Sequence, residues 1–403
     1  MAVAKGIKKI VAFKKQSGLG SAASGASATQ FRRTNSVFKA DRDSYSGEEI
    51  LTHHMDTGAN YGLQKADGVG NFQLSAGTYQ LLFAAFLERD FASVSAISSL
   101  SLTIAASGSD WTITRGSGDF MADGIKIGQV VRLTGGSLSA GNVGINLWVI
   151  ALTATIATVK VLNGNSLTAE GPIASCTMTV TGKTTYTPTT SHTEDYFSVE
   201  EWYSDISKSE LFTDMKVGGF TLNMPATGNI TGNFNFVGLG RTTNTSANFS
   251  SPTLTTTGTM AAINGFISIN GTVQTALTGF TITADKSAQN AGAVIGSNTG
   301  IEVSTGRIKV SGTITALFDS TTIRDLIVNE TAVPIDFVVA DDQTDTADVI
   351  AISLPQVKLF GDAPDDGEKA IVRTYNFVAE YYGDGSTTGS RLPTIMQIQD
   401  TAA

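Results

Sequence analysis

One order of elements is written twice along this chain, and a repeat of that kind constrains the fold more than any single motif. The first copy reads strand at residues 48–56, strand at 71–75 and helix at 78–90. After a long interruption it continues with strands at 196–203, 216–223 and 232–239. The second reads strand at 277–285, strand at 307–318, helix at 320–330, then strands at 333–341, 349–359 and 371–381. The closing strands are alike in text: Gly232-Asn233-Phe234-Asn235-Phe236-Val237 against Thr374-Tyr375-Asn376-Phe377-Val378-Ala379. Each helix carries an apolar stripe. Tyr79, Leu82, Phe83 and Phe86 fall at i, i+3, i+4 and i+7, with Ser75 and Thr78 placed to cap. Ser320 stands ahead of Ile323, Leu326 and Ile327.

Between the halves of the first copy lies a segment of different character, about residues 92–184. Ser/Ala/Gly-rich stretches separate strands at Trp111 to Arg115, Val130 to Thr134, Leu147 to Leu152, Ala157 to Leu162 and Cys176 to Val180. This predicts a small, self-contained β-barrel or sandwich inserted into the first copy. The first copy is then discontinuous, 31–91 and 185–245, and the second runs over 246–403. The 42 glycines against 8 prolines, with many short Val/Ile/Thr/Phe runs, fit a mainly β chain with frequent turns. A hydrophobic fraction of 41% is enough for a packed core.

Charge is unevenly placed. The net charge is −9, yet residues 1–40 hold Lys5, Lys8, Lys9, Lys14, Lys15, Arg32, Arg33 and Lys39 and no acid. Residues 1–30 are Gly/Ser/Ala/Lys-rich without strand or helix periodicity, which predicts a flexible basic arm on an acidic body. Lys8, Lys9, Lys14, Lys15, Arg32 and Arg33 are the residues expected to reach a neighbouring copy. An acidic body argues against a protein that grips nucleic acid, since phosphate binding needs clustered cations.

No catalytic or metal-binding set emerges, and no cofactor is implied. Cys176 is the single cysteine, so neither an intrachain disulfide nor a cysteine metal cluster is available. Its strand-like surroundings predict burial. His53 and His54 are adjacent and on a strand would point to opposite faces. The run Asp341-Asp342-Gln343-Thr344-Asp345-Thr346-Ala347-Asp348 lacks the central Gly and terminal Glu of an EF-hand and reads as a hairpin turn; Asp362, Asp365, Asp366 and Glu368 read likewise. Ala26-Ser27-Ala28 has the look of a cleavage site, but Ile10-Val11-Ala12-Phe13 is too short for the apolar part of a signal peptide. No apolar run approaches the roughly 20 residues of a membrane helix.

Several fragments together resemble the tail tube protein family of long-tailed phages (siphophages). They are Phe31-Arg32-Arg33-Thr34, Ser44-Tyr45-Ser46-Gly47-Glu48-Glu49-Ile50, Leu74-Ser75-Ala76-Gly77-Thr78-Tyr79, Phe86-Leu87-Glu88-Arg89-Asp90-Phe91 and Leu354-Pro355-Gln356-Val357. His53-His54-Met55-Asp56 departs from the family's Arg/Gln-rich text at that place. Trp111-Thr112-Ile113-Thr114-Arg115 and Gly128-Gln129-Val130-Val131-Arg132-Leu133 are similar to a small β domain found inside such proteins.

The resemblance implies a β-sandwich or barrel with one flanking helix per copy, the inserted domain lying on the outer surface. It implies rings stacked into a hollow, non-contractile tube, assembled in the host cytoplasm and ending in the virion tail. DNA would cross the lumen without specific binding, and a tape measure protein and a tail terminator would be partners. Two copies per chain would make a trimeric, pseudo-sixfold ring; one copy would require a hexamer. The competing reading is an extracellular β-rich adhesin or carbohydrate-binding module.

Overall fold

The computed structural model describes residues 3–403 apart from 54, 56, 57, 366, 367 and 369. Strand pairing makes the duplication explicit. In the first half Lys9–Lys15 pairs with Phe197–Tyr203, which pairs in turn with Lys208–Pro225. The path continues through Thr231–Gly238 and Ala59–Gln73 to Arg33–Ser46. In the second half Gly265–Ile269 pairs with Val333–Ala340, and that with Val349–Asp365. From there it runs through Val372–Ala379 and Lys309–Leu317 to Leu277–Asp285. Six antiparallel strands follow one path twice. A helix leaves from the equivalent strand each time, Gln80–Leu87 and Thr322–Val328.

The registers coincide as well. Gly68 lies opposite Phe38 and Phe236, as Gly312 lies opposite Ile282 and Phe377. A Cβ on Gly68 would overlap the Phe38 ring, and one on Gly312 the Thr281 carbonyl and the Phe377 ring. Both halves therefore require glycine at the same place for a close approach. This register aligns Phe38-Lys39-Ala40-Asp41-Arg42 with Ile282-Thr283-Ala284-Asp285-Lys286.

Each half is a two-layer sandwich, because its longest strand serves both layers. Lys208–Pro225 pairs with Phe197–Tyr203 at its start and with Thr231–Gly238 at its end; Val349–Asp365 does the same with Val333–Ala340 and Val372–Ala379. Phenylalanine fills the space between the layers. Phe38 touches Phe212 and Phe236 at 5.6 and 5.5 Å, and Phe280 touches Phe377 and Phe337 at 5.5 and 6.4 Å. The first helix is buried from Leu82 to Leu87 and meets Phe220 through Phe83 and Phe86. In the second helix Ile323, Leu326 and Ile327 are only partly buried.

Several sequence expectations need correction. The basic arm is not a free segment: Lys9–Lys15 is a strand registered over seven residues against Tyr203 to Phe197, with Val11, Ala12 and Phe13 buried. Residues 25–29 run beside 249–253. Burial of three consecutive apolar residues, Val11, Ala12 and Phe13, outweighs their Gly/Ser-rich flank. The strand expected at 48–56 does not form at Glu48 to His53, and His54 and Asp56 lie outside the described residues; the pairing strand is Arg33–Ser46. Ser75 and Thr78 do not cap the first helix. Their hydroxyls bond each other at 2.9 Å, and Tyr79 takes the N-cap position. The helix ends at Leu87 because Glu88 turns left-handed, φ 59°. Thr321, not Ser320, is the N-cap of the second helix.

The inserted segment is a closed six-stranded barrel: Ile97–Ser107, Asp110–Arg115, Val130–Gly135, Leu147–Leu152, Ile156–Val161 and Glu170–Val180. Cys176 is buried in its core, and burial pushes the thiol pKa up. The two tethers bridge at Ala92 and Thr184. Although inserted in the first half, the barrel packs on the second. Trp148 and Ile150 cluster with Val338, Val349 and Ala351, and the Gln399 side chain bonds both the N–H and the carbonyl of Val130. Beneath it Arg391 forks onto buried Asp336 at 2.8 and 2.7 Å, with Ser353 alongside.

The carboxylate of Asp400 accepts N–H bonds from Gly77 and Ala402, and burial pushes its pKa up to about 6. The fold thus favours the uncharged acid over the unfolded chain, where an aspartate titrates near about 3.9. Its stabilising contribution is full below about pH 4 and is lost as pH rises through about 6. Relative to Asp400→Asn, stability measured by denaturant unfolding is expected to fall by about 3 kcal/mol across that window.

Candidate functional site

One layer from each half joins into a single sheet. The end of Lys208–Pro225 pairs antiparallel with Leu277–Asp285, from Gly219 opposite Asp285 to Pro225 opposite Gly279. Eight strands then run side by side, from Arg33–Ser46 at one end to Val349–Asp365 at the other. Alternation sends Phe220, Phe234, Ile282, Ile314 and Tyr375 into the core. The other face receives Thr221, Asn223, Asn233, Asn235, Thr281, Thr283, Thr313 and Asn376, all exposed or half-buried. These are short, uncharged groups, and some pair laterally: Thr281 with Thr313 at 2.8 Å, Thr315 with Thr374 at 3.4 Å.

Charge on this face is balanced near its first edge, where Lys39 pairs with Asp67 at 3.5 Å and Lys65 with Asp43 at 2.9 Å. Such a surface offers hydrogen bonds without a cluster of cations to hold phosphate. The barrel packs on Val338, Val349 and Ala351, on the opposite layer of the sandwich.

The sheet ends in two different free edges. The outer side of Arg33–Ser46, and that of Val349–Asp365 beyond Val357, have no partner strand among the described residues. An unpaired edge is a template for another strand. Two unlike edges on one chain make a head-to-tail contact, the kind that builds rings or filaments.

The cations singled out in the sequence do not gather at these edges. Lys9 pairs with Glu201 at 2.5 Å and Lys15 with Asp195 at 2.8 Å. Lys14 donates to the carbonyls of Ser24 and Ala26, Arg32 to that of Thr257, and Arg33 to those of Gly6 and Lys9. Lys8 is exposed. Tyr79, Leu82, Phe83 and Phe86 are core residues. At the acidic turn Asp342 accepts both the N–H and the hydroxyl of Thr344, which hold its pKa below the usual range. His54 and Asp366 lie outside the described residues. The polar face escaped the sequence reading, although its signal was there: Thr-x-Thr or Asn-x-Asn alternating with Ile, Phe or Tyr in strand after strand.

No curated protein matches the chain. The sequence model of the phage tail tube protein family matches residues 6–379, through both sandwiches and the barrel. With that match over a duplicated, edge-exposing β fold, the chain belongs to the phage tail tube protein family, as a structural subunit that assembles with its own kind in the virion tail.

Proposed function

We propose that copies of this chain join edge to edge into closed rings, that the rings stack into a long non-contractile tube, and that the eight-stranded polar face lines the lumen through which DNA is ejected. The observation that carries the reading is the pair of unlike free edges on one continuous sheet. Closure into a ring removes both. Two six-stranded units per chain favour three chains per pseudo-sixfold ring. A lining of threonine and asparagine lets a polyanion slide, because neutral hydroxyls and amides neither bind nor strongly repel phosphate.

The barrel then stands on the outside, since it occupies the opposite layer. Contacts between rings fall to the N-terminal segment before the first strand, where Val3, Ile7 and Lys8 are exposed. A tape measure protein within the tube, a terminator at its end and assembly in the host cytoplasm complete the proposal.

Electron microscopy of the purified chain is expected to reveal rings and tubes. The same material should pass through immobilised duplex DNA at physiological salt. Stable monomers that bind glycans would instead support an adhesin.

A further inference from the structure

The seam inside the chain is a complete example of how one unit meets the next. Along it Leu222 lies opposite Ile282 and Thr221 opposite Thr283. Lys286, just beyond the second strand, reaches across to the end of the first helix. Its Nζ donates to the Ala85 carbonyl at 3.0 Å and lies 3.4 Å from the Glu88 carboxylate. Glu88 is the left-handed residue that ends that helix.

The second half carries one side of the same seam with no strand on it among the described residues. Val349–Asp365 is the counterpart of Lys208–Pro225, and Thr374 opposite Ala363 matches Asn233 opposite Thr221. The second helix is likewise followed by a left-handed glutamate, Glu330 at φ 52°, whose side chain is exposed. The first half carries the other side. Gly68 and Gly312 equate Arg33–Ser46 with Leu277–Asp285, setting Phe38 on Ile282, Lys39 on Thr283 and Arg42 on Lys286. Arg42 is exposed. Val37 and Phe360, at 57% and 49% exposure, are apolar side chains left open on these two edges.

We infer that the two edges join between copies in the register of the internal seam. Ala363 of one chain lies opposite Lys39 of a second copy, Pro364 opposite Phe38, and Arg42 of that copy pairs with Glu330 as Lys286 pairs with Glu88. Pro364 has no N–H, so it brings no donor to the ladder, and a proline on an edge also discourages pairing in other registers. The inference rests on the ring reading and gives it a specific contact.

Charge exchange tests it in the full chain. Arg42→Glu and Glu330→Arg are each expected to raise the concentration needed for assembly about tenfold, the effect of about 1.4 kcal/mol. The double exchange should restore it to within about threefold of the unaltered chain. Both positions are exposed, so the fold survives the substitutions.

A covalent test fixes the register. Residues directly opposite in an antiparallel pair are about 4.5–5.5 Å apart at Cα, within disulfide reach. Oxidised Lys39→Cys with Ala363→Cys should give a ladder of linked multimers, and Asp41→Cys with Ala363→Cys should not. Rings that form without rescue and without the ladder would overturn this contact and leave the tube reading standing. An unaltered chain that stays monomeric would overturn both.

Discussion

Deletion of residues 3–16 is expected to remove the first sandwich's share of the cooperative thermal unfolding transition while the barrel, with its own core, keeps its share. The segment holds a strand of the first sandwich whose middle is buried, not an appendage. Val11, Ala12 and Phe13 are at most 2% exposed, and Phe13 stands edge-on to Phe31 at 6.2 Å and to Phe197 at 6.1 Å. Loss of the Phe13 ring alone, as Phe13→Ala, should cost about 3–5 kcal/mol. Deletion also strips the hydrogen-bonded edge of Phe197–Tyr203 and leaves Glu201, 2% exposed, without Lys9. An acid buried without its counter-ion is costly in itself. About 3–5 kcal/mol for the ring and about 3–5 kcal/mol for the orphaned acid together already match the roughly 5–15 kcal/mol that holds a typical domain together. A truncated chain that melts as the intact one does would show the strand to be dispensable.

Asp336→Ala is expected to destabilise the chain by about 3–5 kcal/mol in denaturant unfolding, because Arg391 would keep its charge in a buried site with no acid to meet it. The cavity cannot fill from above: Gly128 of the barrel already sits against Asp336 and Ser353, where even a Cβ would lie 3.0 Å from both. Asp336→Leu combined with Arg391→Met should recover most of the loss, since the penalty comes from the unpaired ion and not from missing attraction. If the double substitution is as unstable as the single one, the pair has a packing role that its charges do not explain.

Where one face of a strand is strongly apolar, the sequence was easy to read. Leu277–Asp285 and Val333–Ala340 begin where expected because Ile282, Phe280, Ile335 and Phe337 alternate or crowd plainly. Arg33–Ser46 was missed because its inward positions are Ser36, Phe38 and Ala40, too mixed to mark a period of two. Ile97–Ser107 was hidden in the same way by its serines. Lys9–Lys15 is hard to see because its few apolar residues sit in a Gly/Ser/Ala/Lys-rich stretch, and the charges of its end lysines are met by Glu201 and Asp195, far along the chain. No local pattern foretells such partners. The polar face was legible strand by strand but not as a surface, since its continuity depends on a seam joining segments some 60 residues apart.

The placing of the barrel bears on how the chain reaches its native state. Ala59–Gln73 must find Thr231–Gly238 across more than 150 residues, a slow search if the intervening chain were loose. The barrel is contiguous, and its entry and exit meet at Ala92 and Thr184. Emerging from the ribosome before its host strands are complete, it can close first and cut that search to the 19 positions from Gln73 to Ala92 and the 47 from Thr184 to Thr231. An insertion that looks like a burden on the first sandwich would then act as its clasp during synthesis.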